Sequence, residues 1–568
     1  WNDRQSIFQA KEDVKRDAGL LELRDFIRRH GTELSLWISH NGPMGIAPEY
    51  MEQRGFATGG GNSSAYCIDG SGVLMDSEFE QALTDRFCEL VEKIQAIHYK
   101  IDWDNECATN PDFAEKYPTP DHVRQASLNA MFRIGRKMRK INPDIVTRNG
   151  WWVSPWMLSH FNHIWLAQSG DSEFASLPSA NQRESASTHR DLMYYNVLQR
   201  DKSMIPLDCF DNHEFADGLR NPFVETPLSW CNAIWLSFMR GSTYLAYTLQ
   251  PESIEKWQVE SLKRITDFCR TYANNIFVAN GRMVMGHPGH GEVYGFIQPG
   301  ATQSWCILRN PLPVPQRVQV DFRDMVTHKA QSVKQFYPCY EYLQSGEITF
   351  LPHEIKIVVI DRTEAVPEYD VPFMVDSSKD GYEYRFPASL NFDDRIKPLI
   401  KEIYQIPQMK FSDIEKLPQE NGLDILFSLT APYRVRDFKM HIMIKGERLD
   451  QVKIKNTVSR YKGVEGSCYV LPVTELQDNL PGFGEVRNPD SSPVESRKFF
   501  SMEIPDGGIS NYRLSLVNFD PESMVYEIWA SGYEAPSREA LNKLEPPMFF
   551  AECLPAQNPL GFPIAVSL

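Results

Sequence analysis

The stretch IHYKIDWD, residues 97–104, decides the fold because it follows directly on a helical pattern. In residues 79–95, FEQALTDRFCELVEKIQ, apolar side chains recur at spacings of three and four, which predicts a helix with one buried face. The stretch after it alternates apolar and polar residues, which predicts a strand. A helix that leads straight into such a strand is typical of a parallel βα sheet.

The same alternation extends outward in both directions. The pattern predicts further strands at 33–39, 144–150, 163–169, 204–210 and 243–248, and further helices at 19–31, 122–141, 188–201, 228–241 and 253–275. It predicts a multidomain protein in which residues 1–275 form a (β/α)8 TIM barrel. Since fewer strands are predicted than the eight of a closed barrel, we expect the first strand or strands to precede residue 1. An open doubly wound sheet is the alternative, but no Gly-rich phosphate loop follows any strand.

After residue 276 the periodicity changes to short strands separated by Gly/Pro turns. We predict an antiparallel β-sandwich over 276–362 and a second β-rich domain over 373–535, with a polar, proline-containing linker at 363–372. Residues 536–568 carry no periodic pattern and are predicted to form an irregular, Pro-rich tail.

Composition excludes several functions. The formal net charge of −16 makes nucleic acid an unfavourable partner, because an acidic surface repels phosphate. No apolar run approaches the length of about 18 residues that predicts a membrane span. The 10 cysteines include no C-x-x-C pair and are interpreted as buried thiols rather than zinc ligands. No metal and no cofactor are predicted.

In a barrel, functional side chains collect at the C-terminal ends of the strands. Lys100, Asp102 and Asp104 share one parity of the strand 97–104 and so share one face. A lysine beside Asp102 favours its ionised form. Alternatively, the three charges form a buried ion pair that closes the barrel.

A family resemblance rests on LWISHNG (36–42) followed, after a helix, by HYKIDWDN (98–105). This order resembles the catalytic barrel of the α-galactosidase clan, glycoside hydrolase families 36 and 27. The clan ends its fourth strand in Lys-x-Asp, which implies that Lys100 binds substrate and that Asp102 is the nucleophile. Trp37 matches an aromatic residue of the third strand, and residues 1–8 fall near the second. The resemblance covers about residues 1–300 and implies an N-terminally incomplete barrel.

The clan places its acid/base just after the sixth strand, where this chain reads HIWLAQSGDSEF (163–174). Asp171 is the best match and Glu173 the second, while Gln168 stands where family 36 often has an aspartate. The alternative interpretation of SGDSEF is a solvated helix-capping loop.

The resemblance implies a retaining, exo-acting, α-galactosidase-like glycoside hydrolase that acts on an oligosaccharide or glycoconjugate. The domain organisation favours a role in polysaccharide degradation. A non-catalytic carbohydrate-binding relative and another clan activity, such as α-N-acetylgalactosaminidase, remain alternatives. We expect a periplasmic or secreted protein rather than a cytoplasmic one. The predicted substrate-binding residues are Lys100, Trp37, Asp104, Trp152, Arg148, Gln168, Glu173 and His213.

Overall fold

A computed structural model describes most of the chain. The described residues are 2–39, 45–56, 58, 77–102, 116–149, 155–166, 177, 179, 182–200, 202–216, 227–249, 254, 256–313, 316–327, 329–337, 341–350, 352–362, 374–378, 381–385, 410–431, 435–460, 468–469, 473–476, 497–504, 508–534 and 563–567. The chain divides into two compact units, of which the first comprises residues 1–167 with 209–212 and the second comprises 168–208 with 213–568. The predicted domain bounds stay predictions, and the predicted linker at 363–372 lies outside the described residues.

The N-terminal half of the chain alternates strands with helices, as predicted. The strands are β1 (Ser35–Ser39), β2 (His98–Asp102), β3 (Val146–Asn149), β4 (His163–Trp165), β5 (Phe210–Ala216) and β6 (Tyr244–Thr248). The helices are α1 (Arg16–Arg29), α2 (Pro48–Arg54), α3 (Glu78–Glu89), α4 (Pro120–Ile141), α5 (Gln182–Tyr195), α6 (Pro227–Met239), α7 (Lys256–Thr271) and α8 (Ala273–Ile276). Short π-helical segments, Leu90–Ile94 and Asn196–Arg200, extend α3 and α5.

The six strands form one sheet in the sequential order β1-β2-β3-β4-β5-β6. The pairs from β1 through β5 are parallel. Sequential strand order is the arrangement of a TIM-like half-barrel, whereas a doubly wound sheet reverses its strand order at one point. The barrel class is therefore supported, and closure by further strands stays a prediction.

The predicted strand at 204–210 is wrong, because β5 begins only at Phe210 and a 3-10 turn occupies Leu207–Cys209. The apolar run MIPL at 204–207 resembles a strand, but Pro206 has no backbone N–H to donate within a sheet. The true strand is the polar run that follows it, FDNHEFA.

The N-terminal residues also differ from expectation. Residues 1–8 were expected near a barrel strand, whereas the described residues 2–10 form a turn. An isolated antiparallel bridge between Asn2 and Ala10 closes this turn, and Asp3 N–H donates to the Gln9 carbonyl over 2.7 Å.

Two antiparallel sheets follow α8 and form what we call the first sandwich. Its strands are β7 (Arg282–Met285), β8 (Tyr294–Gln298), β9 (Gln303–Arg309), β10 (Gln316–Val320), β11 (Ser332–Tyr337), β12 (Glu341–Tyr342), β13 (Gly346–Phe350) and β14 (Ile355–Asp361). The sheets have the orders β12-β11-β14-β9-β8-β7 and β10-β13. They share one core, to which the larger sheet contributes Ile297, Leu308 and Val358 and the smaller sheet contributes Val320 and Phe350.

A second pair of antiparallel sheets, the second sandwich, follows the hairpin of β15 (Met374–Ser378) and β16 (Gly381–Arg385). The two sheets have the orders β17-β18-β24-β20-β21 and β22-β23-β19-β25-β26. Their strands are β17 (Lys410–Gln419), β18 (Gly422–Ala431), β19 (Val435–Gly446), β20 (Lys453–Arg460), β21 (Cys468–Tyr469), β22 (Thr474–Leu476), β23 (Arg497–Glu503), β24 (Gly508–Val517), β25 (Met524–Glu534) and β26 (Pro563–Ser567).

One core joins the two sheets of the second sandwich, with Phe427 and Leu514 from the first and Ile442 and Ile528 from the second. The prediction of an irregular tail is wrong for residues 563–567, because they pair with β25 as a strand. A five-residue strand at the end of a long irregular stretch is too short to show a periodic pattern.

Among the described residues, no helix is long and apolar enough to cross a membrane. Of the described cysteines, Cys231, Cys269 and Cys306 are buried as free thiols, as the sequence predicts, and burial raises the pKa of Cys269 and Cys306.

Candidate active site

One face of the half-barrel sheet is polar and the other is apolar. Strand register aligns Trp37 with Lys100, Lys100 with Arg148, and Arg148 with His163. Aligned residues of parallel strands share a face, and every second residue along a strand returns to it. This polar face therefore holds Ser35, Trp37, Ser39, His98, Lys100, Asp102, Arg148, His163, Trp165 and Asp211.

The opposite face consists mainly of buried apolar residues. Ile38, Tyr99, Ile101, Ile164 and Phe210 are all 2% exposed or less. These strands therefore contain enough apolar residues to fill a whole face, and their polar residues are not a consequence of low apolar content. They are concentrated on one side of the sheet.

Asp102 lies at the C-terminal end of β2, on the polar face and half-buried. The indole N–H of Trp37 donates a hydrogen bond of 3.0 Å to Oδ2 of Asp102. Because Trp37 is on the neighbouring strand and itself half-buried, the bond orients the carboxylate relative to the sheet. Lys100 is one step down the same strand face.

Arg148 and Asp211 form a buried ion pair on this face. The Nε and Nη2 atoms of Arg148 both lie 2.5 Å from Oδ2 of Asp211, and the two side chains are 2% and 0% exposed. This ion pair holds β3 and β5 in a fixed position relative to each other. With Lys100 and Asp102, the polar face carries two cations and two carboxylates among its described residues.

Two histidines on the same face stay neutral. Burial, together with the nearby His163, Arg148 and Lys100, lowers the pKa of His98 to about 4. Burial, together with Arg148, lowers the pKa of His163 to about 4 as well. The His98 Nδ1 lies 2.6 Å from the Ser35 hydroxyl. Near pH 7 both imidazole rings are therefore neutral hydrogen-bonding groups beside the charged side chains of the polar face.

The structure brings together four of the residues predicted from the sequence: Trp37, Lys100, Asp102 and Arg148. His213 lies within β5 and not after its end, because that strand begins later than predicted. The other predicted site residues lie outside the described residues, namely Asp104, Trp152, Gln168, Asp171 and Glu173.

Asp211, His98 and His163 were not among the candidate site residues predicted from the sequence. The available signal was parity, since His98 shares the parity of Lys100 and Asp102 in strand 97–104. For Asp211 the misplaced strand hid that signal. Arg148 was predicted to contact substrate, but its burial and its ion pair with Asp211 favour a positioning role.

Within the described part of the chain, no group of three or more His, Cys, Asp or Glu side chains could hold a metal ion. The polar face nevertheless suits proton-transfer and nucleophilic chemistry, because a half-buried carboxylate is fixed by an N–H donor next to a balanced set of charges.

No protein-family model matches the sequence, and no curated protein matches it. Solved structures do resemble the chain. A family 27 β-L-arabinopyranosidase from Geobacillus stearothermophilus, solved with arabinose, is 14% identical with a TM-score of 0.43, over 62% of this chain and 80% of that one. An α-amylase from Geobacillus thermoleovorans, solved with acarbose, is 10% identical with a TM-score of 0.42, over 63% of this chain and 84% of that one.

A family 36 α-galactosidase from Geobacillus stearothermophilus, solved with raffinose, is 10% identical with a TM-score of 0.44. The match covers 62% of this chain and 48% of that chain, so the chain spans about half the length of this enzyme. The solved structures to which the chain is similar thus include glycoside hydrolases of families 27 and 36.

Proposed function

We propose that the protein is a retaining α-glycoside hydrolase, α-galactosidase-like, with Asp102 as the nucleophile and an oligosaccharide or glycoconjugate as substrate. The observation that carries the proposal is the placement of Asp102. It ends a parallel strand at the edge where this class of barrel has its active site, and the Trp37 indole holds it. The Lys-x-Asp pattern of residues 100–102 supports the same role.

In the first step, an oxygen of the Asp102 carboxylate bonds to the anomeric carbon while the glycosidic C–O bond breaks. The leaving oxygen takes a proton from an acid, for which Asp171 is proposed and Glu173 is the second choice; both lie outside the described residues. In the second step, the same group removes a proton from water. The water oxygen bonds to the anomeric carbon, and the bond from this carbon to Asp102 breaks.

Each residue near Asp102 has a different proposed role. Trp37 orients its carboxylate, and Lys100, on the same strand face, is proposed to bind a hydroxyl of the substrate. The Arg148–Asp211 pair fixes the strands on the other side of Lys100. Neutral His98 and His163 add no positive charge that would compete for the carboxylate near pH 7.

The test is a screen of aryl α-glycosides, with α-galactosides first, on the full chain and on Asp102→Asn. The substitution is nearly isosteric and keeps an acceptor oxygen for Trp37, so we expect an intact fold and loss of turnover by at least about a thousandfold, the order seen when a nucleophile is removed. An Asp102→Gly variant with azide should regain part of the rate and form the β-glycosyl azide, whose configuration is inverted relative to the substrate.

Asp25→Asn is the matched control, because Asp25 is an exposed aspartate on α1 whose one ion pair among the described residues is with its neighbour Arg24. It should retain the rate of the unsubstituted protein. Near-normal turnover by Asp102→Asn would remove the nucleophile assignment. A product of inverted configuration would remove the retaining mechanism.

The second candidate is a carbohydrate-binding relative without catalysis. It is favoured by Gln168, an amide at a position where the resembled family often has a carboxylic acid. In that case no aryl glycoside would be hydrolysed, while sugar binding would persist and would weaken in Trp37→Ala. A preference for N-acetylated aryl α-galactosaminides would instead point to α-N-acetylgalactosaminidase activity.

A further inference from the structure

The first sandwich contains an open cleft with a volume of about 600 Å³. It lies where β7, the end of β10, the turn 321–325 and the start of β13 come together. These segments belong to the two sheets of the sandwich, so the cleft opens at the sandwich edge, next to the edge strand β7. The volume falls within the range of about 300–1,000 Å³ that is usual for ligand pockets.

The polar side chains of the cleft carry no net charge. Arg323 and Asp321 form a bidentate pair, with Nε–Oδ1 and Nη2–Oδ2 distances of 2.9 and 2.6 Å. Arg282 and Asp324 contribute one further charge of each sign, and neither forms an ion pair with a described residue. An ion of either sign therefore meets a charge of its own sign in the cleft and is repelled by it, whereas a neutral ligand is not.

Several hydrogen-bonding groups in the cleft have no partner among the residues that the structure describes. The Nη2 of Arg282 donates to the Met325 carbonyl over 2.7 Å, and its other N–H groups have no partner among the described residues. The amide of Gln319 and the carboxylate of Asp324 are exposed and likewise have no side-chain partner there. Together they offer planar donors and acceptors on both sides of the cleft.

The remaining lining is partly apolar. Val284, Met285 and Met325 contribute it, and Met285 adopts a left-handed backbone conformation with φ of 66° at the end of β7. A non-glycine residue in this region is uncommon. The cleft thus combines an apolar strip with paired planar polar groups.

We propose that this cleft is an accessory binding site for a neutral oligosaccharide. Vicinal hydroxyls donate and accept together, which matches Arg282 and Gln319 as donors and Asp324 and Gln319 as acceptors. The C–H faces of a sugar ring suit the Val284–Met285 strip. The site holds glycan without reacting with it, so the proposal does not depend on Asp102 being catalytic.

The experiment is isothermal titration calorimetry of the full chain carrying Asp102→Asn, with raffinose, maltotriose and mannotriose as neutral probes and trigalacturonate as an anionic probe. At least one neutral probe should bind in the millimolar range or better. The additional double substitution Gln319→Ala/Asp324→Ala should weaken that binding by at least tenfold, equivalent to about 1.4 kcal/mol. The same double substitution in the active chain should leave the kcat on aryl glycosides unchanged.

Arg317→Ala is the matched control, because Arg317 is exposed two residues before Gln319 on the same face of β10 and does not line the cleft. Binding equal to that of the control in the double variant would overturn the proposal, as would the absence of binding by all neutral probes. Preferential binding of trigalacturonate would also overturn it, because an anion would then be the ligand. None of these outcomes changes the result for Asp102.

Discussion

Two regions of the chain bury arginines against carboxylates, and they differ in what lies beside the buried charges. On the polar face of the half-barrel, the buried Arg148–Asp211 pair shares its face with side chains that are only half-buried, Lys100 and Asp102 among them. In the second unit, the pair of Arg240 and Asp191 belongs to a network that is buried throughout.

That network joins α5 to the first sandwich and to the end of α6. Arg309, on β9, donates to the Glu184 carboxylate over 2.8 Å, to the Thr188 hydroxyl over 2.7 Å and to the Tyr294 hydroxyl over 2.7 Å. Tyr294 in turn donates to Asp191. Burial raises the pKa of Tyr294 well above its usual value, so it remains a neutral donor.

The buried charges have different roles in the two regions. The network is sealed, since the side chains of Arg240, Asp191, Arg309 and Glu184 are at most 6% exposed and each has a partner in the network. It can therefore fix one element against another but cannot reach a ligand. The Arg148–Asp211 pair lies on the same face as Lys100 and Asp102, which are half-buried. A ligand can reach half-buried charges, as a functional site requires.

The largest effect should come from opening the sealed network with Arg309→Met. This change leaves Glu184 and the Tyr294–Asp191 pair without their shared donor. Removal of one partner of a buried ion pair typically costs about 3–5 kcal/mol. We expect a large fall in the midpoint of thermal unfolding, measured by circular dichroism. The control is Arg317→Met, since Arg317 is exposed on β10 and its substitution should shift the midpoint little. If both variants behave alike, the network does not hold α5 in place.

The half-barrel pair should respond differently when both partners are replaced. Arg148→Met alone leaves the Asp211 carboxylate buried and uncompensated, so stability should fall by a few kcal/mol. The double variant Arg148→Met/Asp211→Leu removes both charges and should recover most of that stability. Activity on an aryl glycoside should stay low, because the support beside Lys100 is still missing.

The corresponding double variant in the network, Arg240→Met/Asp191→Leu, sharpens the comparison. It should recover part of the stability lost in Arg240→Met, because the Tyr294 hydroxyl also loses its acceptor, and the activity should recover together with the fold. If the half-barrel double variant also regained full activity, the Arg148–Asp211 pair would be structural in the same sense as the network, and the proposed difference would be wrong.

Local patterns in the sequence predicted much of this fold. Helix and strand periodicity identified the βα units, since each carries its own apolar face, and the change of period after residue 276 identified the β-rich half. The start of α5 was missed by six residues, at 188 instead of Gln182, because QRESAS is polar and has no apolar periodicity. Those residues are nevertheless mostly buried, with Glu184 held by a partner 125 residues away.

The candidate site was predictable where its residues share one strand and hidden where they do not. Lys100 and Asp102 follow from parity in a single stretch. The Arg148–Asp211 pair joins residues 63 apart on β3 and β5, so it depends on strand order and register, which no local window contains. The Trp37–Asp102 bond, across 65 residues, depends on them in the same way.

A smaller effect is expected from pH. The unfolded chain protonates His98 and His163 below about pH 6.5, whereas the folded chain, with pKa values of about 4, stays neutral until the pH approaches 4. The unfolded state therefore binds more protons in this window, and stability falls as the pH drops from about 6.5 to 4. The slope is at most about 1.4 kcal/mol per pH unit for each histidine.

Hydrogen exchange of β2 and β4 measures this locally, which matters because a chain with several units has no single unfolding free energy. Protection of these strands should decrease more steeply between pH 6.5 and 5 in the unsubstituted protein than in His163→Gln. The control His30→Gln, at an exposed position at the end of α1, should keep the full pH dependence. Equal slopes in all three proteins would contradict the assignment of His163 as a buried neutral ring.

The smallest effect should come from Trp37→Phe, which keeps an aromatic ring and removes the N–H that orients Asp102. A single hydrogen bond is worth about 1 kcal/mol, so kcat should fall by roughly fivefold at an unchanged fold. KM should change little if Trp37 acts on the carboxylate, and it should rise if Trp37 is instead a stacking platform for the sugar. Trp156→Phe is the control, because Trp156 is 79% exposed and should alter neither constant. An unchanged kcat in Trp37→Phe would mean that the position of Asp102 on its strand is enough to orient it. The half-barrel site would then depend more on the buried Arg148–Asp211 pair than on the half-buried Trp37.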